Sequence, residues 1–492
     1  TLGTINNMFT TTANLAKNAN EIFTTNNVAT VTLNSGGGLT GFNTGSILTI
    51  SSIGIVAKTG NLGFSGGQIN PGASSMFIHA LDNLTVDSYV LGTGINKDGA
   101  GNLSFNRLQY FTGFLNNNEG TTTLNSGAAN TILVAPTATA VTTIDLTANA
   151  GTVDLNGQNQ AFRNIASINN PLPGTGSLIT STGAATLTST GGGNFGGVIG
   201  GAITFDRSGS NTTLLTSAQT YTGATNVRGG TLQLRDSATL ASIAGLNLEF
   251  GAVNIDNAGT AFNSAPANLA DRILAANAIS LRGGTITLSG IQGQNVTESL
   301  GTVTVQSGFS TITATPGNTG RAVLTLTDLV RAAGSGSRVN FTGTNLGFPD
   351  VGSSQILLTN LDGVAPTLTS NLIGGWATTN GTEFASWTAP KGIGALNSAG
   401  YAGYTGTTIP TGSNPTQNIR ITATGAVGAA DTINSLNMVG DINLTFASAT
   451  NTLNLVSGGL LKSGNTANTI GATADSGRLT AGGTGTGIQE LF

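Results

Sequence analysis

The phrase Thr220-Tyr221-Thr222-Gly223-Ala224-Thr225-Asn226-Val227-Arg228-Gly229-Gly230-Thr231-Leu232-Gln233-Leu234 constrains the fold most, because it recurs earlier in the chain in worn form. Residues Gln109 to Leu124 match Gln219 to Leu234 without a gap, with Phe111 on Tyr221, Thr112-Gly113 on Thr222-Gly223, Gly120-Thr121 on Gly230-Thr231 and Leu124 on Leu234. A repeat of this size cannot bury an apolar face alone, so self-similarity along a chain reads as units stacked on one another. Around the two copies run short alternating segments such as Ile47-Leu48-Thr49-Ile50, Thr285-Ile286-Thr287-Leu288, Thr302-Val303-Thr304-Val305 and Ile442-Asn443-Leu444-Thr445-Phe446. Each is a strand pattern with one buried and one polar face. Alternation alone leaves a sandwich, a barrel or a solenoid open; the repeat selects stacked coils of roughly 20–25 residues.

Composition agrees. Of 492 residues 73 are Gly and 8% are charged, against about 25% charged in an ordinary soluble chain. Gly, Thr, Ser and Asn disfavour long helices and suit strands and bends. A hydrophobic fraction of 38% still supplies a core, so the chain is expected to fold. There is no Cys, which removes disulfides and thiolate metal sites. The net charge is −4 and no Lys/Arg run occurs, so the electrostatic footprint of a nucleic-acid binder is missing. No stretch of about 18 apolar residues marks a transmembrane helix.

Two segments are read as helical. Leu15, Ala16, Ala19, Ile22 and Phe23 recur at helical spacing between Thr12 and Thr24, where a frayed terminus is the alternative, and Leu269, Ile273 and Leu274 do so between Asn268 and Asn277, where a turn is the alternative. From Gly374 to Thr416 the character changes: both Trp residues, Trp376 and Trp387, fall here with Tyr401, Tyr404 and several Pro. A long aromatic and Pro-rich loop is an excursion from a regular body and a place for contacts. The tail also echoes the head, since Leu48-Thr49-Ile50-Ser51-Ser52-Ile53-Gly54-Ile55 resembles Leu453-Asn454-Leu455-Val456-Ser457-Gly458-Gly459-Leu460. Each is followed by a Gly-rich stretch and then by Met76-Phe77-Ile78 or Glu490-Leu491-Phe492.

The segments Tyr221 to Leu234 and Gly94-Ile95-Asn96-Lys97-Asp98-Gly99-Ala100-Gly101-Asn102-Leu103 resemble the two halves of the autotransporter-associated β-strand repeat of bacterial surface proteins. The resemblance implies an all-β chain built as a right-handed parallel β-helix with short helical or loop insertions, exported and held at the cell surface or outside it. It implies no substrate. The expected organisation is an N-terminal cap or assembly segment at 1–45 and a solenoid at 46–372 with repeats at about 94–124 and 201–234. An aromatic excursion at 373–418 and C-terminal coils at 419–492 complete it.

Chemistry is sparse. The 21 acidic residues are scattered, with Asp82/Asp87 and Asp145/Asp154 among the closer pairs, and a glycosidase would need two carboxylates on one groove. His79 is the lone histidine, in an apolar run, and fits a hydrogen-bonded strand residue better than a general base. No cofactor is implied; a structural calcium could use only Asp98 or Asp256 with their Asn neighbours. The Asn116-Asn117-Asn118 run is expected to form amide ladders between coils. The expectation is therefore a non-enzymatic structural protein whose partners are copies of itself, joined through Gly477, Leu479, Ile488, Leu491 and Phe492 at one end and Leu15, Ile22 and Phe23 at the other. The alternative is a monomeric adhesin holding surface glycans on Trp376, Trp387, Tyr401 and Tyr404.

Overall fold

The structure, a computed structural model, describes residues 8–15, 26–33, 38–60, 62–132, 135–136, 141–142, 144–167, 172–258, 268–464, 467–473, 475–482 and 490–492. It is all-β: among these residues there is no α-helix, and a single 3₁₀ turn, Thr369–Asn371, is the only helical element. Two compact units are distinguished, the first holding residues up to Leu246 and the second most of the chain beyond it.

In the first unit, strands pair in parallel with the strand two further along the chain. Ser75–Ala80 pairs with Gly94–Asp98, which pairs with Phe114–Asn117, which pairs with Asp145–Ala148. The intervening strands Leu84–Val90, Asn102–Phe105, Thr121–Leu124 and Thr152–Asp154 form a second parallel ladder in the same way. The chain thus alternates between two ladders, adding one strand to each per rung. Period-two alternation explains why these sequences comply: Leu84–Val90 buries every second side chain, so one face is core and the other polar.

In-register stacking then places like on like. Met76, Ile95, Leu115, Leu146 and Ile165 are successive Cα partners and all are buried. Leu84, Leu103, Thr122, Val153, Ile179 and Ile199 form a second buried row. Burial of a Leu or Ile side chain stabilises by about 2 kcal/mol, so the rows carry the fold although charged residues are few. The outer face stacks as well: Asn116 donates to Asn96 at 2.8 Å, and Asn149 to Asn118 at 2.7 Å. The Asn ladders expected from the sequence are therefore present. Rung contacts lie 19 or 20 residues apart where connections are tight, and 31 apart where a loop intervenes.

The second unit repeats the parallel pattern through Ala252–Asp256, Thr285–Gln292, Phe309–Gly317 and Arg338–Gly343. It then departs from it, because Ala377–Thr379, Glu383–Thr388 and Gly392–Ala395 pair antiparallel. Parallel pairing resumes in Ser413–Ile421, Ala430–Val439, Thr452–Ser463 and Arg478–Ala481 around a core of Ile419, Ile433, Leu436, Leu444 and Leu453.

No helix is seen in either segment among the described residues, and at Asn268 to Asn277 the turn given as the alternative is what forms. Leu15 ends the strand Met8–Leu15, and 16–25 lie outside the described residues. Asn268 to Asn277 is bend and turn: Ile273 is buried but Leu274 is exposed, so the apolar spacing does not make one face. A buried carboxylate fixes the segment instead. Glu298 accepts from the backbone N–H of Arg272 at 3.1 Å and of Ile273 at 2.9 Å.

Candidate functional sites

The two repeat copies each build one unusual feature, a buried cation beneath a glycine turn. Lys97 ends the inward alternation of Gly94–Asp98 and is fully buried. Its Nζ donates to the carbonyl oxygens of Gly99 at 2.6 Å and Gly101 at 2.8 Å, and to that of Glu119. Gly120, at φ 63°, carries the next rung across this ammonium. The gapless register of the repeats puts Arg207 on Lys97 and Gly230 on Gly120. Arg207 is again fully buried, donating from Nη1 to Ser189 O at 3.2 Å and from Nη2 to Asn211 O, with Gly230 above it at φ 59°. Burial pushes the Lys97 ammonium down to about 8, against the pull of Glu119 and Asp98, and lowers Arg207 from its ordinary value. Lys97 was legible as part of the repeat; Arg207 was not singled out, although the same register points to it.

The copies agree elsewhere in the core. Gln109 and Gln219 are both buried, and their Oε1 atoms accept from the backbone N–H of Val90 and Ile199, each at 2.8 Å. Such a side chain replaces a ladder partner where the strand turns.

The residues expected to mediate assembly have distinct settings. Leu479 lies in the strand Arg478–Ala481 and packs on the local core, while Gly477 approaches the Phe446 ring so closely that a Cβ would collide with it. Leu491 is exposed. Phe492 is engaged within its own unit: its N–H donates to Gly458 O at 2.8 Å and its carbonyl accepts from Leu460 N–H at 3.1 Å. Beside it, Glu490 takes Arg331 Nη2 and Gly336 N–H, each at 2.7 Å, and the Arg331 guanidinium lies 4.5 Å from the Phe492 ring centre. Burial pushes the Glu490 carboxyl up, but the Gly336 and Arg331 hydrogen bonds outweigh it and hold the group below the usual carboxylate range. Ile488, Ile22 and Phe23 lie outside the described residues.

The aromatic excursion turns inward. Trp376 is buried, and Trp387 is half-buried opposite Ile393 in an antiparallel pair. Tyr401 donates to Gly392 O at 3.1 Å, and Tyr404 donates to Glu383 Oε2 at 2.7 Å while accepting from Asn437 at 2.9 Å. Burial pushes both phenols up. The four rings are spread over packing roles and do not form one open platform.

The remaining polar candidates are spoken for locally. His79 Nδ1 lies 2.6 Å from Asp98 Oδ1 on the neighbouring rung, and Asp256 accepts from Ala258 N–H at 2.8 Å, the geometry of an Asx turn. Asp145 is bound by Arg163 and Asn164, and Asp82 by the N–H groups of Gly60 and Asn83. Among the described residues no group of three or more His, Cys, Asp or Glu could hold a metal ion, and no helix is long and apolar enough to cross a membrane. No family model matches the chain, and no curated protein or solved structure matches it either.

Proposed function

We propose that the chain is an extracellular structural β-solenoid, a right-handed parallel β-helix of the autotransporter-associated-repeat kind, without enzymatic activity, whose copies join end to end by strand pairing. The observation that carries this reading is the match between rungs near the two ends of the sequence. In Gly38–Ala57 the register shifts between Ile50 and Gly54, and in Thr452–Ser463 it shifts between Leu455 and Gly459. Each shift contains a residue at positive φ, Ile53 at 60° and Gly458 at 69°. A β-branched residue at such an angle is a genuine outlier, so its alignment with a glycine marks a shared rung design. The segment that follows meets the rung at the matching glycine: Gly54 pairs with Phe77, and the Phe492 hydrogen bonds to Gly458 and Leu460 put Phe492 opposite Gly459.

A rung design common to both ends is the requirement for continuation from one copy to the next. Edges are available for it. Met8–Leu15 and Arg478–Ala481 each have a ladder partner on one side only among the described residues. An unpaired strand edge templates the addition of another strand. Arg478 and Gly482 direct their N–H groups toward Thr452–Ser463, so the alternating Ala481 presents its N–H to the free edge. Proline removes an edge donor and blocks pairing, so Ala481→Pro should abolish polymers seen by negative-stain microscopy while leaving the near-native circular dichroism of the monomer. Particles of wild-type protein that stay monodisperse at every concentration would overturn the proposal.

A further inference from the structure

The first unit carries an open polar groove of about 520 Å³ that the assembly reading does not use. Its wall includes Ser65, Asp87, Tyr89, Asn106, Arg107 and Ser126. These come from four successive rungs: Ser65 pairs with Asp87, Val86 with Phe105, and Phe105 with Leu124, the residues just before Asp87, Asn106 and Asn125. At a strand spacing of about 4.8 Å, four rungs span about 14 Å, so the wall is long enough for an extended ligand.

Arg107 sets the chemistry. Its guanidinium lies 4.4 Å from the Tyr89 ring centre, and Tyr89 is held by an edge-to-face contact with Tyr110 at 5.1 Å. Among the described residues its side chain makes one hydrogen bond, a long 3.5 Å contact from Nη1 to the Asp87 carbonyl, and no carboxylate forms an ion pair with it. A guanidinium stacked on a ring keeps its planar fork free for a bidentate anion. Around it stand hydroxyl, amide and carboxylate groups suited to sugar hydroxyls, and Tyr110, outside the lining but in contact with Tyr89, is 47% exposed.

Other occupants fit less well. A peptide strand has no edge to join, since Leu84–Val90 is already paired on both sides. A nucleic acid needs several phosphate contacts, whereas a single cation stands here beside Asp87 in a chain of net charge −4. We infer that this groove binds an oligosaccharide bearing a single uronate, with Arg107 on its carboxylate, Tyr110 against a sugar face, and Asp87 and Asn106 on hydroxyls. The inference is independent of end-to-end assembly and of the inward-turned rings near Trp376.

The test is calorimetric titration of the full chain with galactose hexamers that carry one galacturonate, alongside fully neutral galactose hexamers. Saturable binding of the acidic oligomer is expected, weakened at least tenfold by Arg107→Ala, less by Arg107→Lys, and weakened also by Tyr110→Ala, while the neutral oligomer binds at least tenfold more weakly. Arg107 and Tyr110 are surface-facing, so unchanged circular dichroism should accompany both variants. The inference is overturned by absence of binding at low salt, by equal binding of the neutral oligomer, by affinity indifferent to Arg107→Ala, or by full competition from millimolar inorganic phosphate, which would reduce the groove to a simple anion site.

Discussion

The Lys97 and Arg207 corners are two solutions to one problem. Both bury a cation under a left-handed glycine where one rung crosses the next. Lys97 directs its ammonium at three carbonyl oxygens, which suits a compact head with three donors. Arg207 reaches two carbonyls and leaves Nε without a partner, so the larger head fits the same corner less completely. The two copies therefore share a shape, a carbonyl-lined corner closed by glycine, and the cation's identity is secondary to it.

The largest test removes the shape. A Cβ at Gly120 would stand 2.5 Å from the carbonyl oxygens of Gly99 and Gly101, and one at Gly230 would stand 2.8 Å from Gly209 O and closer still to Asn211 O. With positive φ in addition, Gly120→Ala and Gly230→Ala should each cost about 3 kcal/mol or more in denaturant unfolding. A loss below about 1 kcal/mol at either position would show that the corner is not shared.

Next in size is the charge. Lys97→Met strands three carbonyls and should cost about 3 kcal/mol. The reciprocal exchange separates the corners: Arg207→Lys should be nearly neutral, because the ammonium regains a three-carbonyl fit, whereas Lys97→Arg should destabilise by about 1–2 kcal/mol through overpacking. Equal effects in both directions would make the difference in fit irrelevant.

These corners also mark how far the sequence could be read. The ungapped match of Gln109–Leu124 with Gln219–Leu234 identified the repeat, and period-two alternation identified the strands, because both are local patterns. Arg207 escaped notice because Arg replaces Lys and Asn211 replaces Gly101, which erases the recognisable half-motif while the geometry persists. At Asn268 to Asn277 the sequence left helix and turn open: Leu269, Ile273 and Leu274 have helical spacing, but the backbone there is claimed by Glu298 from another strand, and the turn forms. The aromatic segment stood out by composition, and antiparallel pairing does interrupt the ladders there. That its rings point inward depends on tertiary partners such as Asn437, which lie far along the chain.

A gentler probe is pH, because only one corner titrates in an accessible range. Lys97 holds its proton to about pH 8 in the folded chain, against 10.5 for an ordinary lysine. Between these values the unfolded state binds more protons, so this group makes stability rise with pH, and the gain disappears as pH falls through 8. Midpoints of denaturation between pH 7 and 10 should therefore rise more in wild type than in Lys97→Arg. Parallel curves would show that the ammonium is not desolvated by its carbonyl cage.

The finest contrast lies beside the corners. Tyr221 and Thr225 are both buried, and their hydroxyls meet at 2.6 Å; the matching positions in the other copy are Phe111 and Leu115, also buried. One copy fills the space with a hydrogen-bonded pair and the other with an apolar pair, so the two side chains should exchange only together. Phe111→Tyr alone buries a hydroxyl against Leu115 and should cost about 1–2 kcal/mol. Adding Leu115→Thr supplies the partner at the matching position and should recover at least half of that loss, by the coupling expected of residues in contact. Additive losses in the double variant would show that the copies share a backbone course but not the packing around it.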